Sequence, residues 1–355
     1  MDRTRMYKSF KLLTSWPLFY IYLKGKVQVF QSVISFSVLF GTWWPLYLPA
    51  KSVRRAMSKM ADFFKLNSDY YRVPGEYTFK GVYYAGYVRR DVLERPEIFQ
   101  IKPDDCFVVS YPKSGTTWTL ELAQLIMNKG DPSFTESAHH FDRVPFIEYD
   151  FPQYPQWNGL KIMEKLDSPR LLKSHLPVYL FPPQALQMGC KIILVARNPK
   201  DTVVSYYHFY QSVQEFGDYR GQFSDFLKMF MNNKVVHGDW FDFTLGWLKY
   251  ANDNDVLFLK YEDMKKNPRD ATVKIAKYLN CDLSDEVIDK ITEYCSFDQM
   301  KASKVVNYEE TEGKQFIRKG RKGDWRNHFT DAESEEFDKI YNEKMKDTGL
   351  SFDWE

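Results

Sequence analysis

Beyond about residue 60 the chain alternates short, continuous apolar runs with stretches in which apolar residues return every three or four positions. Cys106-Phe107-Val108-Val109-Ser110, Leu171-Leu172, Lys191-Ile192-Ile193-Leu194-Val195-Ala196 and Val256-Leu257-Phe258-Leu259 are too short for helices. They do not alternate with polar residues, which predicts strands buried on both faces. Trp118, Leu122, Leu125 and Ile126 recur at helical spacing and give one apolar helix face, and 271–279 and 285–294 read as further helices. Strands that alternate with helices predict an α/β fold: a single domain with a central parallel sheet flanked by helices. In such sheets ligands bind beyond the carboxyl ends of the strands.

The amino-terminal segment has a different pattern. No charged residue occurs from Val27 to Ala50, a run of 24 positions, against about 20 needed to cross a bilayer. Trp43, Trp44 and Tyr47 would suit an interface. Gln28, Gln31, three serines, Pro45 and Pro49 weaken the run as a span. We expect residues 1–60 to be a basic and apolar leader, dispensable or resting on a membrane surface through residues 27–50. The functional domain is then 61–355.

Composition narrows the classes. Hydrophobic residues at 44% and charged residues at 27% exclude a disordered or disulfide-framework chain. The 17% of aromatic residues suggests flat apolar pockets as well as a core. Residues 1–60 hold ten Lys or Arg against Asp2, a charge of +9, and the whole chain is +2, so the remainder carries 2 − 9 = −7. A mildly acidic body is a poor nucleic-acid binder, so basic sites within it are local. Cys106, Cys190, Cys281 and Cys295 lack CxxC spacing and read as reduced thiols, and no Asn-x-Ser/Thr acceptor occurs; both favour a cytoplasmic protein.

Four polar motifs fall just after the predicted strands or in a late loop. In Tyr111-Pro112-Lys113-Ser114-Gly115-Thr116-Thr117-Trp118, Gly115 admits close approach of backbone to ligand. The helix start exposes N–H groups, and Lys113, Ser114, Thr116 and Thr117 add a cation and hydroxyls, which suits a phosphate-type anion or an ordinary capped helix start. Lys113 precedes the glycine, so this is not a Walker A loop. Lys173-Ser174-His175-Leu176-Pro177 pairs a cation with a side chain matched to proton transfer near neutral pH. In Arg197-Asn198-Pro199-Lys200-Asp201, Asp201 reads as a helix cap, with Ser205 about a turn on; Arg197 and Ser205 could hold a second phosphate. Arg318-Lys319-Gly320-Arg321-Lys322-Gly323-Asp324-Trp325-Arg326 is five-ninths basic, an anion loop or an exposed turn.

Together and in this order these motifs resemble the cytosolic sulfotransferases that use 3′-phosphoadenosine 5′-phosphosulfate. Arg143-Val144-Pro145-Phe146-Ile147-Glu148 and Tyr261-Glu262-Asp263-Met264 also resemble family segments, and the likeness runs from Phe79 to Met345. It implies a P-loop-like phosphosulfate loop, Lys113 to Trp118, with Trp118 against adenine. It implies Arg197, Ser205, Phe316, Arg318, Lys319 and Gly320 around the 3′-phosphate, and Tyr261, Ser296, Phe297 and Met300 around adenosine. His175 matches the catalytic base, Lys113 the cation at the bridging oxygen and Lys173 the cation beside the base. The implied product is adenosine 3′,5′-bisphosphate (PAP), and no metal is required. His139-His140 reads as a loop near the acceptor pocket, because adjacent histidines rarely converge on one ion.

Two departures matter. The family's dimer segment, Lys-x-x-x-Thr-Val-x-x-x-Glu, becomes Arg326 to Glu335 with Asp331 in the apolar position, which weakens the expectation of a homodimer. The leader has no counterpart in the family. Tyr83, Tyr84, Phe146 and Tyr149 are candidates for the acceptor wall or for the core. The expected activity is sulfuryl transfer to a hydroxyl or amine of a small hydrophobic acceptor such as a phenol or alcohol. The alternatives are a membrane-anchored lumenal enzyme acting on glycans, or a relative that binds or dehydrates a lipophilic alcohol. The apolar stretch Phe141 to Phe151 favours small acceptors, and Lys113, Lys173 and His175 argue against a pure binder.

Overall fold

The computed structural model describes residues 73–213, 215, 219–307 and 317–354. The expected leader, with its apolar run 27–50, lies outside the described residues, as does Phe316. Residues 66–355 form one compact unit.

Its centre is a four-stranded sheet in the order β4-β3-β5-β6, from Cys106–Ser110 (β3), Leu171–Ser174 (β4), Lys191–Ala196 (β5) and Val256–Lys260 (β6). Every neighbouring pair is parallel. A short antiparallel hairpin, Tyr77–Phe79 (β1) with Val82–Tyr84 (β2), stands apart from it. The unbroken apolar runs follow from the layers. Phe107 and Val109 of β3 and Ile192 and Leu194 of β5 face one core. Cys106, Val108, Ile193 and Val195 face a second core on the opposite side. With both faces covered, polar residues are confined to the strand ends, Ser110, Lys173, Ser174, Lys191 and Lys260.

The helix Thr116–Met127 follows β3 and buries Leu122, Leu125 and Ile126 in the second core. Trp118, on the same apolar face, is only partly buried; it packs against the second core and also lines a cavity. The register places Val109 opposite Ser174 and Ser110 opposite Val195. The carboxyl ends of β3, β4 and β5 are therefore level, and their loops open at one place. The Asp105 carboxylate holds the fully buried Arg170 guanidinium through two bonds of 2.6 and 2.7 Å, tying the start of β3 to the approach to β4.

The helix Pro199–Tyr210 follows β5, and here an expectation is corrected. Asn198, not Asp201, is its cap; its side chain accepts from the N–H groups of Lys200 and Asp201. Asp201 instead holds the late basic loop. Its two carboxylate oxygens accept from Gly323 N–H at 2.7 Å and Trp325 N–H at 3.1 Å. Asn198 stands just before the first helical residue, where its side chain reaches the free N–H groups of the first turn, whereas Asp201 is already inside that turn and turns outward to the neighbouring loop.

Candidate functional site

The loops after β3, β4 and β5 meet the late loop around a cavity of about 710 Å³, well within the range of ligand clefts. Its two halves differ in chemistry.

The first half is cationic and rich in donors. Lys113 has φ +69° and Gly115 φ +104°, so the chain folds tightly back before the helix Thr116–Met127. No side chain caps that helix, so its first-turn N–H groups face the cavity half uncapped. The capped-start reading therefore gives way to an anion cradle. Ser110 and Thr116 hydroxyls bond each other at 2.6 Å, while the buried Ser114 hydroxyl has no hydrogen-bond partner. A side chain at Gly115 would place its Cβ 2.7 Å from the Tyr261 ring, and one at Gly320 would sit 2.2 Å from Phe297. Both glycines thus let backbone pass against aromatic rings that line the cavity.

Arg197 links these parts. It donates to the Lys113 carbonyl and to the Arg321 carbonyl, each at 3.1 Å, and its guanidinium lies 4.5 Å over Tyr261. Its Nε is buried without a partner. Lys113 Nζ sits 4.2 Å over the Phe209 ring. Burial, then the charges of Arg197 and Arg318, pull the Lys113 ammonium down to about 7. Ser114 is buried off the cavity lining, but an orphaned guanidinium N–H, an uncapped helix and a depressed lysine call for an anion, so the residues fit a phosphorylated nucleotide.

The second half is aromatic: Phe141, Phe146, Phe151 and Trp157 line it, with His139 stacked 4.8 Å from Trp157. Pro145 to Ile147 pair along the edge of β4, where Lys173 N–H donates to the Pro145 carbonyl and Ile147 N–H to the Lys173 carbonyl, both at 3.1 Å. That pairing brings Phe146 over Lys173, whose Nζ is 4.3 Å from the ring centre and 4.5 Å from that of Phe141. Burial, with Arg143 nearby, holds the Lys173 ammonium well below the usual lysine range.

His175 stands where the halves join. Its Nδ1 is 2.6 Å from the Ser110 carbonyl. A carbonyl can only accept, so Nδ1 carries the proton and Nε2 is left as the acceptor of the ring. The His175 backbone N–H donates to Glu148 Oε1 at 2.7 Å. Burial lowers the imidazole to about 3, with the Ser110 carbonyl opposing and Lys173 and Lys113 adding to the depression. Burial likewise raises the Glu148 carboxyl to about 7.

The cavity brings together Lys113, Gly115, Thr116, Thr117, Trp118, Arg197, Ser205 and Tyr261 with Phe297, Met300, Arg318, Gly320, Lys173 and His175. It also includes Phe146 and Tyr149. Ser296 precedes the helix Phe297–Ala302 and does not line it. Lys319 pairs with Asp324 at 2.7 Å, as Arg318 does. Tyr83 is corrected: its hydroxyl bonds Glu76 and it does not line the cavity. The hairpin alternation turns its side chain to the outer face, while the buried Tyr84 goes to the core. Sequence reasoning missed Tyr87 and His237, which do line it. Neither belongs to a motif, and no signal in the sequence marks them. Among the described residues no group of three His, Cys, Asp or Glu side chains converges on a metal-sized site, and no helix is long and apolar enough to cross a membrane.

A family model described as a sulfotransferase domain matches residues 103–349. Dog sulfotransferase 1B1 is 40% identical over 266 residues, 73% of this chain and 89% of its own. Rabbit amine sulfotransferase is 40% identical over 274 residues, 74% and 88%. A crystal structure of retinol dehydratase with androsterone and the inactive cofactor PAP matches with a TM-score of 0.69 and 27% identity, over 83% of this chain and 96% of that one. A mouse sulfotransferase complexed with PAP matches with a TM-score of 0.64 and 30% identity, over 77% and 96%. The chain belongs to the sulfotransferase family and is a sulfotransferase enzyme.

Proposed function

We propose that the chain transfers a sulfuryl group from 3′-phosphoadenosine 5′-phosphosulfate to a hydroxyl or amine of a small lipophilic, mainly aromatic acceptor, with His175 as the base. The observation that carries this reading is one cavity with an anion cradle at one end, an aromatic wall at the other and His175 between them. Family relatives support each half. PAP is named in the mouse and retinol dehydratase complexes, androsterone in the latter, and the rabbit relative is an amine sulfotransferase. The aromatic wall supports flat apolar acceptors over a sugar chain.

The residues from Lys113 to Trp118 would hold the 5′ end of the nucleotide. Arg197, Ser205, Arg318 and Gly320 would hold its 3′-phosphate, and Tyr261, Phe297 and Met300 its base and ribose. When bound, the nucleotide supplies the sulfuryl group, whose bond to the phosphate oxygen breaks as the acceptor oxygen or nitrogen bonds to sulfur. His175 Nε2 takes the acceptor proton, and the Nδ1–H bond to the Ser110 carbonyl steadies the imidazolium that forms. Lys113 and Lys173 lie on either side of this centre as preorganised donors, the arrangement that contributes most where charge develops. Residues 61–355 carry the activity in this reading, and residues 1–60 are dispensable to it.

Transfer of radiolabelled sulfate from the nucleotide to a panel of phenols, alcohols and amines tests the reading, with the full chain and one begun at Met60. His175→Ala is expected to lose roughly 10²- to 10⁴-fold in kcat while still binding PAP. No labelled product from any acceptor would sink the proposed activity. Intact turnover in His175→Ala would remove the base.

A further inference from the structure

A hydrogen-bonded pair lies beside His175 in none of the sequence motifs. The Tyr149 hydroxyl and His237 Nε2 are 2.7 Å apart, and both residues line the cavity. The His237 ring meets His175 edge-on, with centroids 5.3 Å apart. His237 is only 2% exposed, and its Nδ1 is buried without a hydrogen-bond partner.

The backbone there is unusual too. His237 has φ +67°, a region that side chains other than glycine seldom enter. Its N–H donates to the Tyr83 carbonyl at 2.9 Å, and the Tyr111 hydroxyl donates to the Gly238 carbonyl at 2.7 Å. A strained turn is thus fastened from two sides to keep an imidazole in the acceptor wall, where an apolar side chain would serve packing alone.

The pair is neutral. Burial holds the His237 imidazole well below its usual range and the Tyr149 phenol well above its own. It offers hydrogen bonds, not a charge or a second base. The orphaned Nδ1 decides the direction of the bond. A buried N–H without a partner is rarer than an unfilled acceptor, so Nδ1 is the bare nitrogen. Nε2–H then donates to the Tyr149 oxygen, the Tyr87 hydroxyl donates to the same oxygen, and the Tyr149 hydroxyl proton remains to be given elsewhere.

We propose that Tyr149, oriented by His237, is a second polar anchor in the acceptor compartment and selects dihydroxy aromatic rings. One ring hydroxyl meets His175 and the other accepts from Tyr149. This rests on the acceptor reading given above. In the same wall Phe141, Phe146 and Phe151 offer no hydrogen bond, and Tyr87, Tyr154 and His139 are its other polar side chains. A site that hydrogen-bonds a substrate hydroxyl discriminates against the ring that lacks it more sharply than an apolar pocket does by size.

The test is steady-state sulfation of phenol, catechol and resorcinol by the full chain and by Tyr149→Phe and His237→Phe. The unsubstituted enzyme is expected to favour at least one dihydroxy ring over phenol by roughly tenfold in kcat/KM, mainly through KM. In both variants that ratio falls to near one, whatever happens to phenol itself. The ratio is taken within each protein, so loss of folded enzyme cancels. Phenol turnover with a ratio near one in the unsubstituted enzyme, or a preference that survives either substitution, overturns the anchor alone. No turnover of any of the three rings overturns the phenolic acceptor reading and the anchor with it.

Discussion

Replacing Arg197 by alanine removes a side chain that touches the loop after β3, the late basic loop and the Tyr261 ring together. Its two bonds to carbonyls are both 3.1 Å long, with neutral acceptors. Water entering the vacated space can serve both carbonyls, so the expected cost in stability is about 1–2 kcal/mol. The cost in binding is larger. Arg197 Nε is buried without a hydrogen-bond partner, so in the proposed reading it would be the donor to a phosphate oxygen. A charge-assisted bond of this kind contributes about 1.5–3 kcal/mol. At 1.4 kcal/mol per decade, PAP should bind roughly 10- to 150-fold more weakly. Titration calorimetry with PAP beside a thermal melt separates the two effects. Arg197→Lys should recover only part of the affinity, because an ammonium cannot hold both carbonyls and still present a third donor. If Arg197→Ala melts normally and binds PAP within twofold of the unsubstituted protein, the guanidinium does not hold the nucleotide and the placement of the 3′-phosphate is wrong.

Two other expectations follow from the same cradle. Lys113 has an ammonium pulled down to about 7, so above that pH it is largely neutral in the free protein, and an adjacent phosphate favours its charged form. Binding of PAP at pH 8 should therefore take up a proton, and affinity should fall by up to about tenfold per unit above pH 7. Calorimetry in buffers of different ionisation heat reads the uptake, and a flat affinity from pH 6.5 to 8.5 without uptake would contradict it. Asp201→Asn leaves only one oxygen for the N–H groups of Gly323 and Trp325. PAP affinity should fall about tenfold and the late loop should be cut faster by protease, with little change in the midpoint of unfolding. Unchanged affinity with unchanged cleavage would show that the loop does not need that tether.

The sheet was legible because its signals are local. β3 and β5 are continuous apolar runs whose ends coincide with the strands observed, and the polar motifs stand directly after them. The cationic half of the cavity was legible for the same reason, since a loop between strand and helix carries its donors in one short stretch. The aromatic half was not. Phe146 was found through its motif, but His237 comes from a turn after the helix Phe223–Met231 and reaches the site only by packing against Tyr149 and His175. Tyr83 shows the opposite error. In a three-residue strand, two adjacent tyrosines point to opposite faces; Tyr84 goes to the core, and neither lines the cavity. Asp201 was misread because a helix-capping rule is local, whereas its partners Gly323 and Trp325 lie 122 and 124 residues away.

The depressed proton affinities of Lys113, Lys173 and His175 have one origin. Burial is the largest influence on each of them, and for His175 the two lysines add their charge. An imidazole at about 3 is a weak base for a phenol, which at first counts against the proposed role. But part of this depression, after burial, comes from the charges of Lys173 and Lys113. In the proposed reading, a phosphorylated ligand beside Lys113 would offset that part of the repulsion and leave the Ser110 carbonyl to stabilise the imidazolium. The Glu148 carboxylate, bonded to the His175 backbone N–H, would add to this only in its ionised form, and burial keeps it near about 7. On that reading His175 is a weak base while the nucleotide is absent and would gain proton affinity when it binds. The proton uptake expected at pH 8 reads the same effect of a bound phosphate at Lys113, whose ammonium is pulled down to about 7.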